Sequence, residues 1–127
     1  MQGESLMKLS MVRELLEAKV FPDAELIDNM EVKEACGSDL MSDVLAFVKE
    51  QGLLLTGLQN LQVVRTAEMM DMEAIVFVRG KEPNEEMIET ANRKGIVLMS
   101  TNLPMFTACG LLYSNGLVGG KAADFSE

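Results

Sequence analysis

Histidine is missing altogether from these 127 residues. With it go the usual general base, the commonest metal ligand and every Ser-His or Cys-His nucleophile arrangement. Cysteine is scarce: Cys36 and Cys109 stand far apart without a Cys-x-x-Cys partner, which argues against a disulfide framework or a zinc cluster and for two reduced thiols. No stretch approaches the roughly 18 consecutive apolar residues of a membrane span, and the start lacks a signal-peptide pattern. A cytoplasmic protein without membrane contact is expected. Positive charge is short as well. Eleven bases face twenty acids, for a formal net charge of -9, so phosphate backbones are repelled and nucleic acid is not an expected partner. A phosphate loop is lacking too: Gly119-Gly120-Lys121 resembles one in passing, but Asn115 stands where its first glycine belongs and Ala122 replaces the metal-binding hydroxyl.

What is present suits one small globular domain. Apolar residues make up 48% of the chain, and a chain of this length buries roughly two thirds of its unfolded surface in a single core. The eleven methionines read mainly as fillers of irregular core gaps, with an adaptable binding surface as the other reading. Residues 1–6 precede a second plausible start at Met7 and read as a leader or an expression remnant. Residues 7–118 form the domain, and the Gly/Ala-rich stretch 119–127 reads as a flexible tail.

Along the chain, Met11, Val12, Leu15 and Leu16 recur at helical spacing after Ser10, which suits a helix start. Phe21-Pro22-Asp23 is turn chemistry, and Met30 to Lys33 alternates like a half-buried strand. A second helix is expected over Ser38 to Val48, capped by Ser38 or Asp39, with Leu40, Met41, Val44, Leu45 and Val48 on its buried stripe. After Gly52 a strand, a polar turn and an amphipathic helix recur three times at a period of about 22 residues. The strands are Leu53 to Gly57, Ala74 to Gly80 and Ile96 to Thr101; the helices are Asn60 to Met70, Pro83 to Lys94 and Pro104 to Ser114. Continuous apolar strands alternating with helices predict a single α/β domain, a mainly parallel sheet covered by helices. The middle helix is best specified, with Pro83 at its first position, Glu85 and Glu86 at its positive start and Arg93-Lys94-Gly95 at its end.

Ligands of parallel α/β sheets gather outside the carboxyl ends of the strands, where helix starts present free amides. Here those ends carry Thr56-Gly57 with Asn60, Arg79-Gly80 with Lys81, and Ser100-Thr101-Asn102. Hydroxyls, amides and two cations along one edge suit a small anionic or nucleotide-like ligand. The same residue types also serve ordinary turns and caps. Arg79 stands out, since its fork of five donors exceeds what a turn requires; an acid across a dimer interface is its other expected partner. Asp39 and Asp43, four apart, read first as cap and first-turn charges and only second as a paired site. Glu85, Glu86 and Glu89 read as a solvated face, and Cys109, beside Phe106 and Leu112, as a buried inert thiol.

Met7 to Ser10, the Ser38 to Val44 stretch, Thr66-Ala67-Glu68, Ile75 to Pro83 and Leu98 to Thr101 together resemble the DRTGG domain family in its short stand-alone form, from about Met7 to Leu117. The resemblance implies a fold like the N-terminal domain of bacterial HPr kinase/phosphorylase. It also implies a regulatory module, since relatives are attached to phosphotransacetylases and CBS-domain pyrophosphatases in ligand-controlled dimers, and stand-alone members occur near iron-only hydrogenase components. The chain departs from the family at both named turns, with Leu58-Gln59-Asn60 for Gly-Asp-Arg and Val78-Arg79-Gly80 for Thr-Gly-Gly.

The expectation is therefore a noncatalytic regulatory or signalling domain without a cofactor or metal. It would be a homodimer binding a small metabolite or nucleotide through Ser38, Asp39, Thr56, Gly57, Asn60, Arg79, Gly80, Ser100 and Thr101. The alternative is a ligand-free accessory that docks on a partner enzyme, with a hydrogenase-associated enzyme as one candidate, through Leu111, Leu112 and Tyr113. Phosphotransfer through a hydroxyl such as Ser42 or Ser100 is the third reading, and it lacks a positioned base.

Overall fold

The computed structural model describes residues 6–21, 27–46 and 51–119. The elements, in chain order, are β1 (Met7–Lys8), α1 (Leu9–Leu16), β2 (Lys19–Phe21), β3 (Glu31–Val32), β4 (Glu34–Gly37), α2 (Met41–Leu45), β5 (Gly52–Thr56), α3 (Leu61–Met69), β6 (Ala74–Phe77), α4 (Glu85–Lys94), β7 (Val97–Ser100), α5 (Met105–Ser114) and β8 (Val118–Gly119). Six strands form one sheet in the order β2-β7-β6-β5-β4-β8, while β1 and β3 make a separate antiparallel ribbon. Within the sheet every pairing is parallel except that of β2 with β7. The expected mainly parallel α/β sheet covered by helices is what the chain forms.

Side chains alternate across the strands with period two, and that alternation divides the core into two layers. Leu53, Leu55, Ala74, Val76, Val97 and Met99 pack with Leu9, Val12 and Leu16 of α1 and with Ala108 and Leu112 of α5. Leu54, Ile75, Phe77 and Leu98 pack with Met41 and Val44 of α2, Val63, Val64 and Ala67 of α3, and Met87 and Ala91 of α4. The central strands are buried on both sides, which is why their apolar runs are unbroken.

The three strand-helix units after Gly52 lie where they were expected, shortened by a few residues. Asn60 caps α3 by accepting from the Val63 amide at 3.3 Å, and Asn84 caps α4 by accepting from Met87 at 2.9 Å. Pro83 therefore precedes the cap and is not the first helical residue. At the other end of α4, Gly95 takes a positive φ of 75°, a conformation that costs glycine least.

The first third departs more. Helix α1 begins at Leu9, after Lys8, with no side-chain cap, so Ser10 lies inside it. Of the strand expected over Met30 to Lys33 only Glu31–Val32 forms, as β3 against β1, and a separate strand, β4, follows from Glu34 beside β5. Helix α2 is a five-residue piece preceded by Leu40. Met41 and Val44 are buried as expected, but Leu40 and Leu45 face solvent, and Val48 lies outside the described residues. Phe21, assigned to a turn, ends β2, while Pro22 and Asp23 lie outside the described residues. Gly119, placed in a tail, pairs with Ala35 in β8; residues 1–5 and 120–127 of the proposed terminal segments are not described.

Among the described residues no helix is long and apolar enough to cross a membrane, and no group of three or more metal-ligating side chains forms.

Candidate functional site

The sheet delivers the carboxyl ends of β4, β5 and β6 side by side, and a polar cluster sits there. Ser38 and Asp39 follow β4. The Asp39 side chain does not cap α2: its Oδ1 accepts from the Gly57 amide at 2.6 Å and from the Thr56 hydroxyl at 3.1 Å. Its other oxygen, Oδ2, lies 3.6 Å from Nη1 of Arg79, and both side chains are 45% exposed. Ser38 takes the local turn role instead, its hydroxyl accepting from the Leu40 amide at 3.0 Å. Asp39 lies outside the helix, so it forms no helix-face pair with Asp43.

Arg79 reaches Asp39 because of its backbone. Val78 to Lys81 is a tight turn closed by the Lys81 amide on the Val78 carbonyl at 3.2 Å, and both central residues have positive φ, 61° at Arg79 and 76° at Gly80. This is the pattern of a mirror-image turn that glycine and asparagine usually fill. An arginine there costs about 1 kcal/mol or more against glycine. The Arg79 and Gly80 amides donate to Leu103 and Thr101 carbonyls, each at 2.9 Å, which holds the turn in place. The guanidinium then lies against Gly57, where an added Cβ would meet Nη2 most closely and stand 2.6 Å from Cζ and Nη1. Gly57 is thus required by a close approach and not by its own φ.

Asp39, Thr56, Gly57 and Arg79 are brought together; the other candidates are not. Asn60 is spent on its cap, and Gly80 serves the turn. Beyond it, β6 leads to α4 on one face and β7 leads to α5 on the other, which makes the β6–β7 boundary the topological switch of the sheet. There the loops are laced to each other. The buried Ser100 hydroxyl donates to the Lys81 carbonyl, and the buried Thr101 hydroxyl donates to the Leu16 carbonyl at 2.7 Å while accepting from Leu103 at 3.2 Å. Gln59, which had not been singled out, ties the β5 loop to the β6 loop through the Glu82 carbonyl at 2.6 Å.

Among the described residues, two hollows lie away from this cluster, and neither is lined by Asp39, Thr56, Gly57 or Arg79. A broad one of about 950 Å³ runs beside α1 and includes Met7, Lys8, Arg13, Glu14 and Glu17. A smaller apolar one of about 220 Å³ sits between β4, β8 and α5, beside Gly37, Leu55, Cys109 and Tyr113. Cys109 is half-buried, and desolvation, then the nearby Cys36, push its thiol above the ordinary range. Cys36 packs toward the α2–α3–α4 layer and Cys109 toward the α1–α5 layer, yet both line this smaller hollow, and no disulfide joins them.

Comparison with known proteins bears on the fold. The CBS and DRTGG domains of the regulatory region of a Clostridium perfringens pyrophosphatase, crystallised with the activator diadenosine tetraphosphate, superpose with a TM-score of 0.71 at 16% sequence identity. The match covers 92% of this chain and 51% of that one, so this chain spans about half the length of that structure. No family model and no curated protein matches the sequence. The likeness supports a DRTGG-like fold, in line with the resemblance carried by the sequence.

Proposed function

We propose that this chain is a regulatory domain that senses a small metabolite or nucleotide at the carboxyl-end edge of its sheet, as a cytoplasmic homodimer and without turnover of its own. One observation carries the reading: Arg79 is held in a left-handed turn that favours glycine, with its guanidinium half exposed over Gly57. Local strain of this kind clusters at binding sites. The similarity to a regulatory region crystallised with a nucleotide activator supports the same reading, as does the absence of histidine.

The test is a melting screen of the purified chain with adenine nucleotides, diadenosine polyphosphates and central metabolites. A ligand at 100 times its Kd adds about 2.7 kcal/mol, a shift of about 10 °C for a domain of this size. The shift should vanish in Arg79→Ala. A flat screen with the wild-type chain ends this reading.

A second reading has its own observation. Helix α5 bears no charged residue and presents Phe106 and Tyr113 at 89% and 72% exposure. Docking on a partner enzyme would use these two side chains. Leu112, first assigned to that surface, is buried in the core, and Leu111 is partly buried against it. Stable capture of a partner by the wild-type chain, lost in Phe106→Ser/Tyr113→Ser, would favour docking over sensing.

A further inference from the structure

Resting on the sensor reading of the strand-end edge, we infer that Asp39 is a built-in occupant of an oxyanion cradle, and that the cradle's ligand is a phosphate-like oxyanion that displaces it. Three donors from two parts of the chain, the end of β5 and the turn after β6, converge on this one carboxylate. They are the Gly57 amide at 2.6 Å, the Thr56 hydroxyl at 3.1 Å and, facing the second oxygen, the Arg79 guanidinium at 3.6 Å. A main-chain N–H, a hydroxyl and an arginine fork are the donor set that recognises an anion. The backbone that carries each is fixed before any ligand arrives. Thr56 is fully buried at the end of β5, the Gly57 amide follows it directly, and Arg79 is held by the two backbone bonds that lock its turn.

The occupant fits less well than its cradle. Charge-assisted N–H···O bonds run about 2.7–2.9 Å, whereas Arg79 stands at 3.6 Å from the Asp39 oxygen. A tetrahedral oxyanion carries more oxygens than a carboxylate and is not tethered to the backbone, so it is free to sit nearer Arg79 while keeping both β5 donors. Asp39 is also free to leave. Its side chain is 45% exposed, and it belongs to the short connection before α2, where the neighbouring Leu40 faces solvent. Displaced into water, its charge is solvated and Arg79 gains the ligand. Displacement of Asp39 thereby couples occupancy of the site to the position of the β4–α2 connection, which is the kind of local exchange that a regulatory domain transmits.

The experiment is calorimetric titration of the full chain with inorganic pyrophosphate at low ionic strength, for the wild type, Asp39→Ala, Asp39→Asn, Asp39→Ala/Arg79→Ala and, as a charge control, Asp43→Ala. Removing an occupant from a site raises apparent affinity by the reciprocal of the fraction of time the site was open, here expected to be about tenfold or more. Asp39→Ala should bind that much more tightly than wild type, Asp39→Asn should gain less, Asp43→Ala should gain nothing, and the gain should disappear with Arg79→Ala. Equal gains in Asp39→Ala and Asp43→Ala would show a net-charge effect and overturn the inference. So would a folded Asp39→Asn with wild-type affinity if Asp39→Ala did not fold. A metabolite hit on the wild type, lost in Arg79→Ala but unimproved in Asp39→Ala, would sink the occupant and leave the sensor reading standing. A gain in Asp39→Ala that needs Arg79, beside a flat wild-type metabolite screen, would establish the cradle and end that reading.

Discussion

Replacing Gly57 by alanine tests whether the strand-end cluster is built around Arg79. The new Cβ would meet the Arg79 Nη2 most closely and stand 2.6 Å from Cζ and Nη1, whereas carbon contacts settle near 3.5–4.0 Å, so the guanidinium has to retreat by more than about 1 Å. The backbone at Gly57 is outside the left-handed region, and alanine adopts it without strain. Two terms then oppose each other. Loss of a half-exposed ion pair costs about 0.2–1 kcal/mol, and the smaller conformational freedom of alanine in the unfolded chain returns about 0.4–1 kcal/mol. Urea unfolding should therefore place Gly57→Ala within about 1 kcal/mol of wild type with an unchanged slope. In an Arg79→Ala background the same substitution should be neutral or stabilising, because the clash has gone, and the double-mutant cycle should show the coupling. Ligand recognition through Arg79 should be lost although the fold survives. A cost above about 2 kcal/mol in both backgrounds would refute the reasoning, since only a backbone conflict independent of Arg79 produces losses of that kind.

Thr101→Val should cost about 1–3 kcal/mol in the same assay, because the Leu16 carbonyl and the Leu103 amide both lose their partner; Thr101→Ser should recover most of it. Asn84→Ala should lower stability by about 1 kcal/mol through the cap of α4. Cys109 should alkylate slowly at neutral pH, its rate still rising with pH beyond the range in which an ordinary thiol levels off, because burial raises its pKa. The folded state holds that proton more tightly than the unfolded one. The Cys109 contribution is therefore full below the ordinary thiol pKa and is lost as pH rises through the raised one, which Cys109→Ala should abolish. Phe106→Ser should leave stability within about 0.5 kcal/mol of wild type, since its side chain is 89% exposed.

The amino-acid sequence by itself determined the α/β class and the three strand-helix units after Gly52, because burial on both faces of a strand or one face of a helix writes a local period into the chain. It also placed Thr56, Gly57 and Arg79 at the carboxyl ends of their strands. The tertiary structure decided the rest. Three residues, Lys19–Phe21, become a strand only because the edge of β7 offers a partner, and no pattern that short announces itself. Asp39 has the chemistry of a helix cap, and local sequence assigned it one; the sheet instead brings the Gly57 amide, 18 residues away, within 2.6 Å. The contact between Gly57 and Arg79 has the same origin. Polar contacts between distant segments leave no period in the sequence, so their pairing is settled only when packing of the apolar layers fixes which strand ends lie side by side.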